Sequence, residues 1–267
     1  LVARLKEVGQ DSVAITDHGG CLGSVYLYKE LKAAGIKMNH GMEAYICDDA
    51  TVKDKDNRYY HLVLLCKNET GRLNLNKLIS ISERPENKYY KPRIDFDILK
   101  AHSEGLIVLT ACLAGEVPRL LQADDYEGAK ALVAKYKSVF GEDYYLELQA
   151  RNDPEQIEIN KQILKLAADT NTETVVTCDA HYVEKGDKEY QNKYAFYGAY
   201  RESDEGAYLD CYVQSEAEVR ANLAYLPRET VDLLIANTHA IADKCNVEIP
   251  ISAPIMPEVP VPDGYAS

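Results

Sequence analysis

Asp179 and His181 follow a short apolar run, residues 174–177, whose β-branched side chains predict a strand buried on both faces. On an extended chain, residues i and i+2 point to the same side, so this carboxylate and this imidazole would emerge together. Such a pair at a strand end can hold one metal ion. An Asp–His hydrogen bond without any metal is the alternative interpretation.

Metal-ligating side chains also border other apolar runs. His18 follows the run 12–16, Glu43 follows a short run that begins at Ile36, and Cys112 follows the run 106–110. His61 differs from these because it begins its strand. Each residue alone also has a structural explanation, since a lone histidine is usually hydrogen-bonded and a lone cysteine usually packs.

Taken together, these side chains supply nitrogen, oxygen and sulfur donors. The mixture suits Zn²⁺ or Mn²⁺, with Fe²⁺ as a further option, and it is poor for Ca²⁺. Six ligands exceed the four of a closed structural zinc site, so they indicate a cluster of two or more ions, as in enzymes that split phosphate esters. The candidate metal ligands are His18, Glu43, His61, Cys112, Asp179 and His181.

Other polar residues are expected to play lesser roles. Asp17 would point away from His18 on a strand and is expected to orient neighbouring groups. We expect His40 to be structural and both His102 and His239 to face solvent. Residues 89–93 form a surface loop or a substrate contact. The sequence has no glycine-rich phosphate loop, serine nucleophile elbow or Cys-x-x-Cys pair.

The elements that would position these residues alternate between apolar strands and helices. This alternation predicts a parallel sheet covered on both faces, and at least six strand candidates suit a barrel better than an open sheet. In such barrels the functional groups collect at the carboxyl ends of the strands. A helical pattern over 116–140 is expected to break near 123–125, whereas residues 190–212 follow no clear pattern.

Composition limits the possible partners. The 267 residues carry a net charge of −13, which repels nucleic acid phosphates unless metal ions or a basic domain offset it. No apolar run reaches the length of about 18 residues that a membrane span needs. Seven scattered cysteines predict reduced thiols and a cytoplasmic location. Five prolines within 250–262 predict an extended linker over residues 250–267.

Several segments resemble a known family. They are Ile-Thr-Asp-His-Gly at 15–19, Gly-Met-Glu-Ala-Tyr at 41–45, Tyr-His-Leu-Val-Leu-Leu at 60–65, Tyr-Lys-Pro-Arg-Ile-Asp at 90–95, Thr-Ala-Cys-Leu-Ala-Gly-Glu at 110–116 and Cys-Asp-Ala-His-Tyr at 178–182. Together they resemble the PHP (polymerase and histidinol phosphatase) domain, in the form found at the N-terminus of bacterial replicative DNA polymerase III α subunits. The resemblance covers residues 1 to about 182, and residues 256–265 resemble the link into the polymerase palm.

The resemblance implies an α/β fold: a distorted seven-stranded, TIM-like β/α barrel over residues 1–249 with a di- or trinuclear metal site at its C-terminal rim. The family's ligands fall on the six candidates named above. Among these, His18, Glu43, Asp179 and His181 are expected to be catalytic. The family's first strand carries a His-x-His pair followed by an Asp, and we expect that strand to be missing ahead of Leu1, which would leave one ion incompletely coordinated.

The implied activity is metal-dependent phosphodiester hydrolysis, with 3′–5′ exonuclease proofreading as its role. Its partners would be a DNA 3′ end and the rest of the polymerase α subunit. The alternative is a non-catalytic, metal-stabilised scaffold that braces the polymerase or docks a separate proofreading subunit. A free-standing phosphatase of the histidinol-phosphate type fits less well, because the proline-rich exit and the polymerase-type segments argue against it. The palm carboxylates that add nucleotides are not among these residues.

Overall fold

A seven-stranded mixed sheet organises the structure, a computed structural model that describes residues 1–197 and 210–251. The strands are β1 (Ser12–Ile15), β2 (Lys37–Cys47), β3 (Tyr59–Cys66), β4 (Arg93–Asp95), β5 (Leu106–Leu109), β6 (Tyr144–Gln149) and β7 (Thr174–Thr177). They pair in the order β1-β2-β3-β5-β6-β7, and β4 pairs with β2.

Helices fill most of the connections between the strands. They are α1 (Val2–Glu7), α2 (Ser24–Ala33), α3 (Glu69–Ser82), α4 (Phe96–Ala101), α5 (Glu116–Gln122), α6 (Tyr126–Phe140), α7 (Pro154–Thr170), α8 (Lys188–Tyr197), α9 (Glu216–Asn222) and α10 (Arg228–Lys244). The break predicted within 116–140 is confirmed, because Asp125 caps α6 by accepting a 2.9 Å hydrogen bond from the Gly128 amide.

The expectation of an all-parallel sheet is wrong at β3, which runs antiparallel to both β2 and β5. The remaining pairings, β1 with β2, β2 with β4, β5 with β6 and β6 with β7, are parallel. A parallel connection needs a crossover, usually a helix, whereas the loop at 48–58 contains none and simply reverses the chain. The start of β3 therefore lies at the same rim as the carboxyl ends of β2 and β5, its antiparallel neighbours.

The sheet is strongly curled. In a flat sheet the first and last of six paired strands would lie ~24 Å apart, since neighbours are spaced by about 4.8 Å. Instead, the rings of His18, just beyond β1, and His181, just beyond β7, have centroids only 5.9 Å apart. Within the described residues β1 and β7 are not paired with each other, so the sheet forms a curled half-barrel, and the distorted TIM-like barrel that was expected stays a prediction.

The core lies on both sides of the central strands. Every residue of β5 and β6 is buried, as the near-continuous apolar runs in the sequence predicted. The largest cluster of buried side chains joins β2, β3, β5 and β6 to α3, α6 and α7. This packing fixes the strand ends, and with them the side chains at the rim.

Arg93, within the loop and strand that follow α3, is wholly buried. Its guanidinium donates hydrogen bonds to four backbone carbonyls, at distances of 3.0–3.4 Å, and lies over the Tyr89 ring. The four acceptors are the carbonyls of Ala50, Val52, Asn57 and Asn87. Arg93 is therefore a structural tie for the loop at 48–58 and not a surface or substrate-contact residue.

Two sequence expectations concern the chain's surroundings. No helix in residues 1–197 or 210–251 is both long and apolar enough to cross a membrane. Residues 252–267, which make up nearly all of the predicted proline-rich linker, lie outside the described residues, as do 198–209 within the stretch that followed no clear pattern.

Candidate metal centre

His18 and Glu43 meet because the chain beyond β1 continues alongside β2. The Glu43 amide donates to the Asp17 carbonyl (3.1 Å), and the Gly19 amide donates to the Glu43 carbonyl (2.8 Å). This bridge places Nδ1 of His18 3.5 Å from Oε2 of Glu43. Gly19 has φ +65°, and a Cβ there would lie 2.8 Å from the Pro92 ring, so only glycine fits without displacement.

Asp17 contacts the neighbouring backbone, in keeping with the orienting role expected of it. Its Oδ2 accepts a 2.8 Å hydrogen bond from the Gly23 amide, which closes the loop that leads into α2. The same residue's carbonyl accepts from Glu43. Asp17 thereby holds the backbone on either side of His18 in place.

His61 joins the site through the antiparallel direction of β3. Its amide donates to the Ala114 carbonyl (3.0 Å), which ties the start of β3 to the loop after β5. Its Nδ1 lies 2.7 Å from Oε1 of Glu43. The ring is partly buried and packs against those of Tyr45 and His18, with centroid distances of 5.4 and 5.1 Å.

Cys112 approaches the same carboxylate from the loop after β5. The chain turns at Ala111, which has φ +60°. The Cys112 sulfur then lies 3.5 Å from Nδ1 of His61 and 3.9 Å from Oε1 of Glu43. The Ala114 amide donates to this sulfur at 3.4 Å, an interaction that favours a thiolate.

Asp179 and His181 lie together, although not by the extended geometry that the sequence suggested. Asp179 has φ +46°, so the chain has left the strand and the i, i+2 rule for strands does not apply. Nδ1 of His181 lies 2.8 Å from the Asp179 carbonyl oxygen and 3.7 Å from its Oδ1. The side chains therefore meet through a tight turn.

Two groups of possible ligand atoms result. The first joins His18, Glu43 and His61, and the second joins Asp179, His181 and Cys211; within each group the ligand atoms lie within 4.8 Å of one another. Cys112 contacts the first group, and the contact between the His18 and His181 rings links it to the second. The structure thus brings all six predicted residues to one rim and adds Cys211.

Electrostatics at this rim favour cations. Burial raises the pKa of Cys112, and the charges of Asp179 and Glu43 raise it further. Burial also raises the pKa of Asp179; His181 opposes this rise and Glu43 adds to it. A divalent ion among these groups would offset the cost of burying their charged forms and would reduce the repulsion between them.

The pKa values of Glu43 and His18 shift in the opposite direction and are both lowered. Burial on its own would raise the pKa of Glu43, but the hydrogen bond with His61 and the charges of His18 and His61 lower it overall. Partial burial lowers the pKa of His18, which favours the neutral imidazole over the protonated form that would attract Glu43. An ionised carboxylate and a neutral imidazole are the forms that bind metal ions.

Sequence reasoning missed three residues near this site. Tyr45 stacks on His18 with its ring centroid 5.8 Å away, and its position two residues beyond Glu43 on a strand could have revealed it. Glu147 lies fully buried in β6, and a lone acid in an apolar run was a signal. Nothing in the sequence indicated that Cys211 belongs to the site, because it lies within residues 190–212, which follow no clear pattern.

The other histidines lie outside the two groups of ligands. His40 is buried in β2, as expected of a structural residue. His239 is exposed on α10. His102 was expected to face solvent but is half-buried, with Nδ1 2.9 Å from the Ile98 carbonyl oxygen.

A curled α/β sheet whose rim gathers imidazoles, carboxylates and thiols defines a candidate metal-binding α/β protein. The chain belongs to the PHP domain family, whose model, described as "PHP domain", matches residues 1–151. Its curated relatives are DNA polymerase III α subunits. The one from Borreliella burgdorferi is 36% identical over 98% of this chain and 23% of its own length, and the one from Aquifex aeolicus is 42% identical over 70% and 17%.

The chain spans less than a quarter of the length of these relatives. A solved structure of a proposed metal-dependent phosphoesterase from Bifidobacterium adolescentis aligns with 86% of this chain and 91% of that chain. The identity is 15% and the TM-score is 0.42, a similarity too low to bear on activity.

Proposed function

We propose that this chain is the PHP domain of a replicative DNA polymerase III α subunit, and that it hydrolyses phosphodiesters with the help of divalent metal ions. The observation that carries the proposal is the convergence of six ligand-type side chains on one rim. The two groups of donors suit a pair of neighbouring ions, which is the arrangement used to cleave phosphate esters. Zn²⁺ or Mn²⁺ fits these donors best, with Fe²⁺ as a third option.

The residues of the site have two proposed roles, which are to bind the ions and to support the residues that bind them. His18, Glu43, Asp179 and His181 would contact the ions and are the proposed catalytic residues, with His61 and Cys112 as further ligands. Bound divalent ions would neutralise phosphate charge and activate water for attack. The Tyr45 ring, stacked on His18, forms one wall of the site.

The proposed substrate is the 3′ end of DNA, and the proposed role is 3′–5′ exonuclease proofreading. A chain of net charge −13 repels a phosphate backbone. Ions at the rim would offset this repulsion locally, and the rest of the polymerase would deliver the strand. We therefore expect activity to depend strongly on both metal and salt concentration.

The test is degradation of single-stranded DNA by the natural protein that contains this sequence. Strands labelled at the 5′ or 3′ end distinguish the direction of cleavage. We expect Mn²⁺- or Zn²⁺-dependent removal of nucleotides from the 3′ end, lowered at least ~100-fold in Asp179→Asn and His181→Ala, since each change removes a ligand and losing even a supporting group costs ~10–100-fold. His239→Ala, at an exposed histidine on α10, is the matched control.

Activity that survives chelation and both substitutions would contradict the metal mechanism. Tight metal binding without hydrolysis would favour the alternative, a metal-stabilised scaffold that braces the polymerase or docks a proofreading subunit. In that case Asp179→Asn should lower the stability of the protein in the presence of metal and leave polymerisation chemistry intact.

A further inference from the structure

Cys211 lies beside Asp179 and His181 although about 30 residues separate them in the chain. The ligand atoms of the three residues lie within 4.8 Å of one another. The His181 amide donates a 2.9 Å hydrogen bond to the Cys211 carbonyl, and the Val213 amide donates to the Val183 carbonyl at 3.2 Å. These bonds fix the backbone of Cys211 against the segment that carries the two predicted ligands.

The backbone around Cys211 is also held from its other side. Gln214, which is fully buried, donates through its side-chain amide to the carbonyls of Asp210 (2.7 Å) and Ala150 (2.9 Å). Asp210 is itself buried and has φ +58°, so the turn before Cys211 is tightly defined. Donors that are held before an ion arrives lose little freedom on binding it.

Cys211 adds a chemically distinct donor. A carboxylate, an imidazole and a thiolate make up three of the four positions of a tetrahedral zinc site and leave the fourth open, as in catalytic zinc centres. Thiolate selects Zn²⁺ over harder ions such as Mg²⁺ and Mn²⁺. The Cys211 sulfur is buried, so an ion there would be shielded from bulk water on one side.

We propose that Cys211 is a metal ligand, and that Asp179, His181 and Cys211 form a position selective for a thiophilic divalent ion such as Zn²⁺. On binding, the S–H bond breaks, a metal–sulfur bond forms and the proton leaves to solvent. Burial, assisted by Asp179, raises the pKa of the Cys211 thiol to about 12, so the ion must displace a proton that is firmly held. The inference rests on the proposed function, because it shares Asp179 and His181 with that site.

The experiment is a Cd²⁺ titration of the natural protein that contains this sequence, followed by the ultraviolet charge-transfer absorption of cadmium thiolates. Two thiolates, Cys112 and Cys211, should contribute. We expect Cys211→Ser and Cys112→Ser each to lose about half of the absorption. Cys245→Ser should lose none of it, because Cys245 is equally buried but packs at α10, away from both groups of ligands.

Unchanged absorption in Cys211→Ser would overturn the proposal while leaving the metal site of the proposed function intact. Absence of the absorption from every protein, including the wild type, would overturn metal ligation by Cys211 and by Cys112 alike. A second measurement does not require the Cys211 variant to fold. Zinc-edge X-ray absorption of Cys112→Ser should still show a sulfur neighbour at about 2.3 Å, and its loss would contradict ligation by Cys211.

Discussion

Nδ1 of His61 lies 2.7 Å from Oε1 of Glu43, although His61 lies near the beginning of β3 and Glu43 lies well inside β2. The contact exists because β3 runs antiparallel to β2, in a register that places His61 opposite Tyr45. Because β3 is reversed, a residue near its beginning lies at the rim where the parallel strands of the sheet end. Glu43, also within 3.5 Å of His18, becomes the centre of the first group of ligands.

Replacing His61 should therefore weaken metal binding. His61→Ala removes a nitrogen donor and the partner that keeps Glu43 ionised, so we expect a loss of Zn²⁺ affinity of at least ~10-fold. Equilibrium dialysis against a buffered zinc series measures this loss. His239→Ala serves as the control, and equal affinities in the two variants would exclude His61 from the site.

Gly115 should be irreplaceable for a steric reason. A Cβ there would lie 2.1 Å from the Thr110 carbonyl oxygen and 3.1 Å from that of Cys112, so alanine must displace the loop that carries Cys112. We expect Gly115→Ala to weaken zinc binding and lower the unfolding midpoint in urea. Gly20→Ala, where a Cβ would meet nothing within 4 Å, should change neither property. Identical behaviour of the two variants would contradict the assigned loop geometry.

The sequence predicted six of the seven strands, most helices and six ligand-type residues because apolar runs and their polar ends are local signals; the three-residue β4 was not predicted. It could not predict the direction of β3, since the polar loop at 48–58 allows either direction until the neighbouring strand is known. The left-handed turn at Asp179 was not predicted either, because a positive φ is uncommon even for aspartate, which adopts it more often than most residues. Cys211 reaches the site only through a long-range pairing.

Glu147 should make stability depend on pH. Burial raises the pKa of this carboxyl to about 8, with Asp179 and Glu43 adding to the rise, while its ordinary value is near 4.5. The folded protein therefore retains a proton that the unfolded chain releases, and stability should fall as pH rises between about 4.5 and 8. Glu147→Gln mimics the neutral form and should flatten this dependence. Urea unfolding of metal-free protein at pH 5 and pH 8 measures it.

The neutral Glu147 carboxyl also bridges the loop after β5 and the end of β7. Its Oε2 accepts from the Ala111 amide (3.0 Å), and its Oε1 lies 2.5 Å from the Thr177 hydroxyl. Glu147→Ala would leave the buried Ala111 amide without its partner, at a cost of about 1–3 kcal/mol, and would also remove the partner of the half-buried Thr177 hydroxyl. A Glu147→Ala protein as stable as Glu147→Gln at pH 5 would contradict this bridging role.

Arg93 should tolerate no substitution, including lysine. Its planar guanidinium serves four carbonyls at once, whereas one ammonium has three donors and no matching fork. We expect Arg93→Lys to destabilise the fold by about 2–4 kcal/mol, because at least one buried carbonyl loses its partner. Urea unfolding measures the change, and Arg228→Lys on the exposed start of α10 is the control. If Arg93→Lys loses no more stability than Arg228→Lys, the hydrogen bonds of the Arg93 guanidinium are not needed for the stability of the fold.

The metal centre is tested most directly by an anomalous scattering map from crystals of the protein grown with Zn²⁺. We expect at least two strong peaks at the rim. One should lie within about 2.0–2.3 Å of ligand atoms from His18, Glu43 and His61, and another at the same distance from Asp179 and His181. Peaks confined to exposed acidic side chains, or no peak at this rim, would contradict the central claim that these side chains form a metal centre.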